Sequence, residues 1–235
     1  MQHREILEGK TIRVWDPLVR IGHWVLVVAF FTAWLSGDEW LAGHLWAGYI
    51  IAGIVLLRIV WGFIGTRHAR FSSFVYRPKE IRTYGKTMLA GKSKRYLGHN
   101  PLGGLMIVLM LVCLLMLSVS GVVLQALEEN SGPLAGVVYP ELTVGADGSV
   151  SANGDDEVHD DGHYNNDDDK RGQRSEAAGE SGRFEQVEGF WEELHEILTN
   201  IMLLLVGLHI AGVALSSSRH RENLVRAMFT GRKPV

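Results

Sequence analysis

Long apolar blocks alternate with strongly polar ones along the chain. Four stretches carry very few charges: about 19–36 (VRIGHWVLVVAFFTAWLS), about 41–65 (LAGHLWAGYIIAGIVLLRIVWGFIG), about 102–127 (LGGLMIVLMLVCLLMLSVSGVVLQAL) and about 190–217 (FWEELHEILTNIMLLLVGLHIAGVALSS). A bilayer core about 30 Å thick takes roughly 20 helical residues. The third stretch is too long and too uniformly apolar for a soluble amphipathic helix. The pattern therefore predicts an all-α integral membrane protein, a four-helix bundle forming one membrane domain over residues 1–235. A long polar outer loop, 128–189, separates the third and fourth helices.

Lys and Arg set the expected orientation. The segment up to Arg20 holds four, the turn between spans one and two holds none, and 66–100 holds nine. The tail after Ser217 holds five, whereas 128–193 holds four against 18 Asp and Glu. Both termini and the 66–100 segment are thus expected in the cytoplasm, and the short first turn and the acidic loop on the outer face. The loop is rich in Gly, Asp, Asn and Ser and poor in large apolar residues, so it reads as solvated and mobile. His159 and His163 within it offer a loose cation site or part of a docking surface, but no window fits an EF-hand.

Composition narrows the chemistry. The single cysteine, Cys113, excludes a disulfide framework and a thiolate metal cluster. No C-x-x-C-H occurs, so covalent c-type haem attachment is excluded. The first 18 residues lack an apolar h-region, and no cleavable signal peptide is expected. With a net charge of -3, and with the basic residues flanking apolar spans, no nucleic-acid partner is expected.

Ten histidines occur, and His23, His44, His195 and His209 fall within or at the rims of the spans. Ionisable side chains inside a bilayer are costly and are functional candidates by default. His195 and His209 are 14 residues apart, a rise of about 21 Å that leaves them roughly 40° apart on one helix face. His44 opens the second span at the depth of His195, and His23 opens the first at the depth of His209. Two depth-matched pairs result, each joining different helices. Bis-histidine ligation of haem iron suits that arrangement best, with each axial ligand on a separate helix. Gly22, Gly48, Gly53, Gly207 and Gly212 lie near these histidines and would leave room for a flat macrocycle, although small residues also serve close helix packing.

Arg58 follows His44 by 14 residues on the same face. A buried guanidinium needs an anion. No carboxylate stands at that depth in the sequence, and a haem propionate would supply one; the alternative is snorkelling to the headgroups. His68, Arg67 and Arg70, with His99 and Asn100, offer donors for a quinone near the cytoplasmic interface, or else anchor headgroups and start a helix at "HNP". Trp34, Trp40 and Trp46 suit an outer aromatic belt, and Trp15, Trp24 and Trp61 an inner one.

The stretches RIGHWVLVVAFFTAWL, GHLWAGYIIAGIVLLRIVWGFIGTRHARF, YLGHNPLGG and LHEILTNIMLLLVGLHIAGV, with the later HRENLVRAMFTGRK, resemble the bacterial cytochrome b561 family. They are similar to the b-type cytochrome subunits of nickel–iron hydrogenases. The resemblance implies two b haems per chain, held at His23, His44, His195 and His209. It also implies electron transfer between the quinone pool and a periplasmic redox partner, such as a cytochrome c or a hydrogenase-like protein. Quinol oxidation is the enzymatic activity such a subunit would contribute. Two other readings are a histidine-lined metal or proton transporter and a membrane anchor that recruits a soluble redox enzyme.

Overall fold

The computed structural model describes residues 11–13, 16–37, 39–67, 69–90, 96, 100–138, 167–220 and 223–234. In chain order these form strand β1 (Thr11–Arg13), helices α1 (Pro17–Ser36) and α2 (Leu41–Ile64), a 3-10 turn (Phe71–Ser73), α3 (Pro78–Leu89), α4 (Pro101–Glu128), a single turn α5 (Ala135–Val138), α6 (Asp167–His220), α7 (Leu224–Thr230) and β2 (Arg232–Pro234). The expected all-α membrane fold is found. Four helical stretches are long and apolar enough to cross a membrane: Pro17–Ser36, Leu41–Ile64, Pro101–Glu128 and Glu185–Arg219. They match the four runs read from hydropathy, and the chain is a multi-pass membrane protein.

One expectation needs correction. The polar segment 128–189 is not loop throughout, because α6 begins at Asp167 and runs 54 residues. A nucleated helix extends at the gain of one backbone bond per residue, and the stretch is rich in good formers such as Ala, Glu, Gln and Arg. The apolar run from Phe190 supplies the nucleus. Residues 139–166, with His159 and His163, lie outside the described residues.

The chain divides into two compact units, one of residues 1–118 with 198–235 and one of residues 119–197. In the first unit α1 starts on Asp16, whose side chain accepts from the Leu18 amide at 2.9 Å, with Pro17 in the first turn. Ala29 and Ala33 of α1 are buried, as are Ala47, Ile51 and Val55 of α2. Small residues on the facing stripe let these two helices approach closely, which lipid-immersed helices rely on for packing. Val28, Leu35, Leu56, Phe63, Leu204 and Ile210 are exposed. On a soluble protein they would be an aggregating surface; here they form the lipid-facing surface.

The segment after α2 folds back under its own aromatic residues. A Cβ at Gly62 would overlap the Phe71 ring, and one at Gly104 would overlap the Phe74 carbonyl. Both glycines are thus required by close approach. Phe74 is almost wholly buried, and Phe71 and Phe74 lie 5.6 Å apart. The Arg70 Nε donates to the Gly65 carbonyl at 2.7 Å. Asn100 caps α4 by accepting from the Gly103 amide at 2.7 Å, ahead of Pro101 in the first turn. Gly104→Ala should destabilise the protein by about 1–3 kcal/mol, the usual cost of overpacking. A lowered melting temperature of the detergent-solubilised protein would register it, and an unchanged one would contradict the close approach.

β1 and β2 pair antiparallel, Thr11 opposite Pro234 and Arg13 opposite Arg232. Residues 11–13 and 232–234 therefore lie side by side. The α7 turn is held there by Asn223, which accepts from the Arg226 amide at 2.8 Å, and it stops at Gly231 with φ 75°. Arg20 Nε donates to the Met228 carbonyl at 2.9 Å, and Trp24 stacks on Phe229 at 4.4 Å.

Candidate haem-ligand site

α1 and α6 bring His23 and His209 together. Their ring centroids are 6.3 Å apart and the rings are tilted by 58°. With metal–imidazole bonds of about 2 Å, two axial rings on one iron have centroids roughly 6 Å apart. The spacing thus suits a shared metal as drawn from the sequence pairing. Both residues are half-buried. Trp24 packs its edge on His23 at 5.3 Å, and the α7 turn carrying Phe229 backs that indole. The C-terminal segment thereby fixes the first turns of α1, where His23 sits.

His44 lies in the first turn of α2. Its Nδ1 is 2.9 Å from the Ala33 carbonyl of α1. A carbonyl only accepts, so Nδ1 is the donor in this contact. Metal-binding imidazoles are oriented in this way by a second-shell acceptor. Nothing in the sequence marks it, because the acceptor is a backbone atom on another helix.

In the second unit, His195 of α6 meets α4. Its Nδ1 lies 2.8 Å from Ser120 Oγ, and Ser120 is fully buried. A Cβ at Gly121 would stand 3.4 Å from His195 Cε1. Neither residue was singled out in the sequence. Ser and Gly are ordinary in membrane helices, and only the pairing of α4 with α6 reveals them.

Arg58 is buried under the folded-back aromatic segment. Its guanidinium lies 5.5 Å from the Phe71 centroid and 5.6 Å from that of Phe74. Aromatic faces attract a cation, but they leave its N–H groups unused. Nη1 is buried and has no hydrogen-bond partner among the described residues. Burial is the main influence on this guanidinium, and the Asp16 carboxylate at the N-cap of α1 is a lesser, favourable one. An orphaned buried donor and two facing imidazoles fit a haem with a propionate near Arg58.

The glycines divide. A Cβ at Gly48, Gly53, Gly207 or Gly212 would meet nothing within 4 Å. Gly22 instead faces Ile54, at 3.4 Å from its Cγ2, and so serves helix packing rather than macrocycle room. The aromatic belts divide too. Trp34, Trp40 and Trp46 are exposed. Trp24 is stacked, and the indole nitrogens of Trp24 and Trp61 are buried; Trp15 lies outside the described residues.

Of the residues considered for a quinone, Arg70 and Asn100 bond to backbone atoms and Arg67 is exposed. His68 and His99 lie outside the described residues. Nearby, Tyr96 meets Tyr84 at 5.4 Å and Tyr76 at 6.1 Å, edge to face. Burial raises the Tyr76 phenol above its ordinary pKa, with Tyr96 and Glu80 adding to the effect. Among the described residues no three His, Cys, Asp or Glu side chains gather as a cation cage.

The family model of prokaryotic cytochrome b561 matches residues 14–231. A protein of Bradyrhizobium diazoefficiens named probable Ni/Fe-hydrogenase B-type cytochrome subunit is 34% identical over 121 residues, covering 39% of this chain and 48% of that one. A protein of the same name from Azotobacter vinelandii is 33% identical over 152 residues, 52% of this chain and 62% of its own length. One from Rhizobium leguminosarum bv. viciae is 29% identical over 148 residues. The chain therefore spans about half to three fifths of the length of these relatives. No solved structure matches. The match over residues 14–231 places the chain in the prokaryotic cytochrome b561 family.

Proposed function

We propose that this chain carries electrons across the bacterial inner membrane through two b haems. The observation that carries the reading is the approach of His23 and His209 at 6.3 Å from two membrane helices. His23 and His209 hold the inner haem, and His44 and His195 the outer one. A bound b haem supplies one-electron chemistry by cycling between ferric and ferrous iron. The residues supply the rest. The Ala33 carbonyl orients the His44 ring through Nδ1, and Arg58 offers its unpaired Nη1 to a propionate. The lipid-facing surface keeps water and bulk ions away from the charge-carrying interior.

Quinol and a periplasmic redox protein are the exchange partners in this reading. The names of the relatives support a hydrogenase-like partner, and a cytochrome c is the other candidate. Pairs of histidines, with no third ligand among the described residues, favour this over a cation transporter.

An optical spectrum of the purified protein tests the core of it. A Soret band with reduced α and β bands, at about two haems per chain, is expected. A colourless protein would return the transporter and anchor readings.

The orientation has its own test. Protease added to intact spheroplasts should cut within about 140–185 and spare the C-terminal tail, because Lys and Arg flank the other side. Cleavage of the tail alone would reverse the orientation.

A further inference from the structure

We propose that Ser120 is a positioning residue for His195: it holds the imidazole with the proton on Nδ1 and sets the redox potential of the centre that His195 serves. The inference rests on the reading of His195 as a haem ligand.

The geometry is local to α4 and α6. Ser120 is fully buried, and its Oγ lies 2.8 Å from His195 Nδ1. The next residue, Gly121, presents bare backbone to the ring flank, with a Cβ position 3.4 Å from Cε1 and 3.9 Å from Nδ1. A hydroxyl at the ring edge and a missing side chain beside it make a seat for one imidazole orientation. Because Ser120 meets Nδ1, an iron bond to this ring would be made through Nε2.

A hydroxyl can donate or accept, unlike the carbonyl that faces His44. Commitment of the Nε2 lone pair to iron decides the matter. The proton then resides on Nδ1, and Ser120 Oγ accepts it. An N–H donated to an acceptor makes the other nitrogen a stronger electron donor. Stronger donation favours ferric iron and lowers the potential. His44 has the equivalent acceptor in Ala33.

The experiment is potentiometry of the purified haem-loaded protein, followed optically and by electron paramagnetic resonance. His195→Ala is made first. It should remove one component, and survival of both components would defeat the ligand assignment itself. Ser120→Ala should keep the component that His195→Ala removes, but move it to a higher potential and leave the other unmoved. Haem should also dissociate from that site roughly 10–100-fold more readily, the usual effect of losing a second-shell partner. Ser120→Thr, which keeps the hydroxyl, should restore the potential. If Ser120→Ala does not accumulate, Ser120→Cys, with its weak acceptor, should shift the same component in the same direction. An unmoved component, or equal movement of both, overturns the role of Ser120 while leaving His195 as a ligand.

Discussion

His23→Ala and His209→Ala should each abolish the same optical and redox component, leaving about one haem per chain. The two imidazoles come from different helices and meet at 6.3 Å. Removing either takes away an iron bond and strands its opposite number. The double variant should therefore resemble each single variant, since the second substitution finds nothing left to break. His44→Ala and His195→Ala should act on the other component. His23→Ala combined with His44→Ala should disturb both. Haem content measured with reduced-minus-oxidised spectra decides among these outcomes. If His68→Ala or His99→Ala cost a full haem while His23→Ala did not, the inner ligand would come from the far end of span two or the start of span three. α1 would then be a packing helix.

The sequence made some of this legible and concealed the rest for physical reasons. Hydropathy located the first three spans to within two residues and the fourth to within five, because a bilayer imposes a minimum length on every crossing helix. Helical periodicity placed His195 and His209 on one face, and depth matched His209 to His23 before any contact was known. What depth could not supply was lateral detail. The Asp16 charge bears on Arg58 from another helix, and Gly22 meets Ile54 of α2. Ser120 and the Ala33 carbonyl stayed hidden for the same reason: nothing in their own helices marks them. Low hydropathy does not reveal the polar start of α6, because helix-forming residues can extend a membrane helix well past the lipid. Asn223 shows the reverse case: it stands in a stretch that carries the family resemblance, and the fold gives it a reason, since it caps the turn whose Phe229 backs Trp24.

Arg58→Leu should lower the potential of the inner component and reduce its haem content, with the outer component unchanged. Two aromatic faces hold the guanidinium, and its Nη1 is buried without a partner. If a propionate supplies the missing anion, leucine leaves that carboxylate buried and uncompensated. Breaking such a pair from one side costs about 3–5 kcal/mol. An uncompensated negative charge near iron also stabilises the ferric state, so the potential falls. Arg58→Lys keeps the charge but loses the planar fork and the stacking on Phe71 and Phe74, so its effect should be intermediate. Asp16→Asn separates the two candidate anions. Were Asp16 the true counter-ion, Asp16→Asn would leave Arg58 as a lone buried cation and raise the inner potential. Were a propionate the partner, Asp16→Asn, whose amide oxygen can still accept at the α1 cap, should leave the inner potential close to that of the unaltered protein. An inner component that keeps both its content and its potential in Arg58→Leu would remove Arg58 from the haem site and make it an anchor for lipid headgroups.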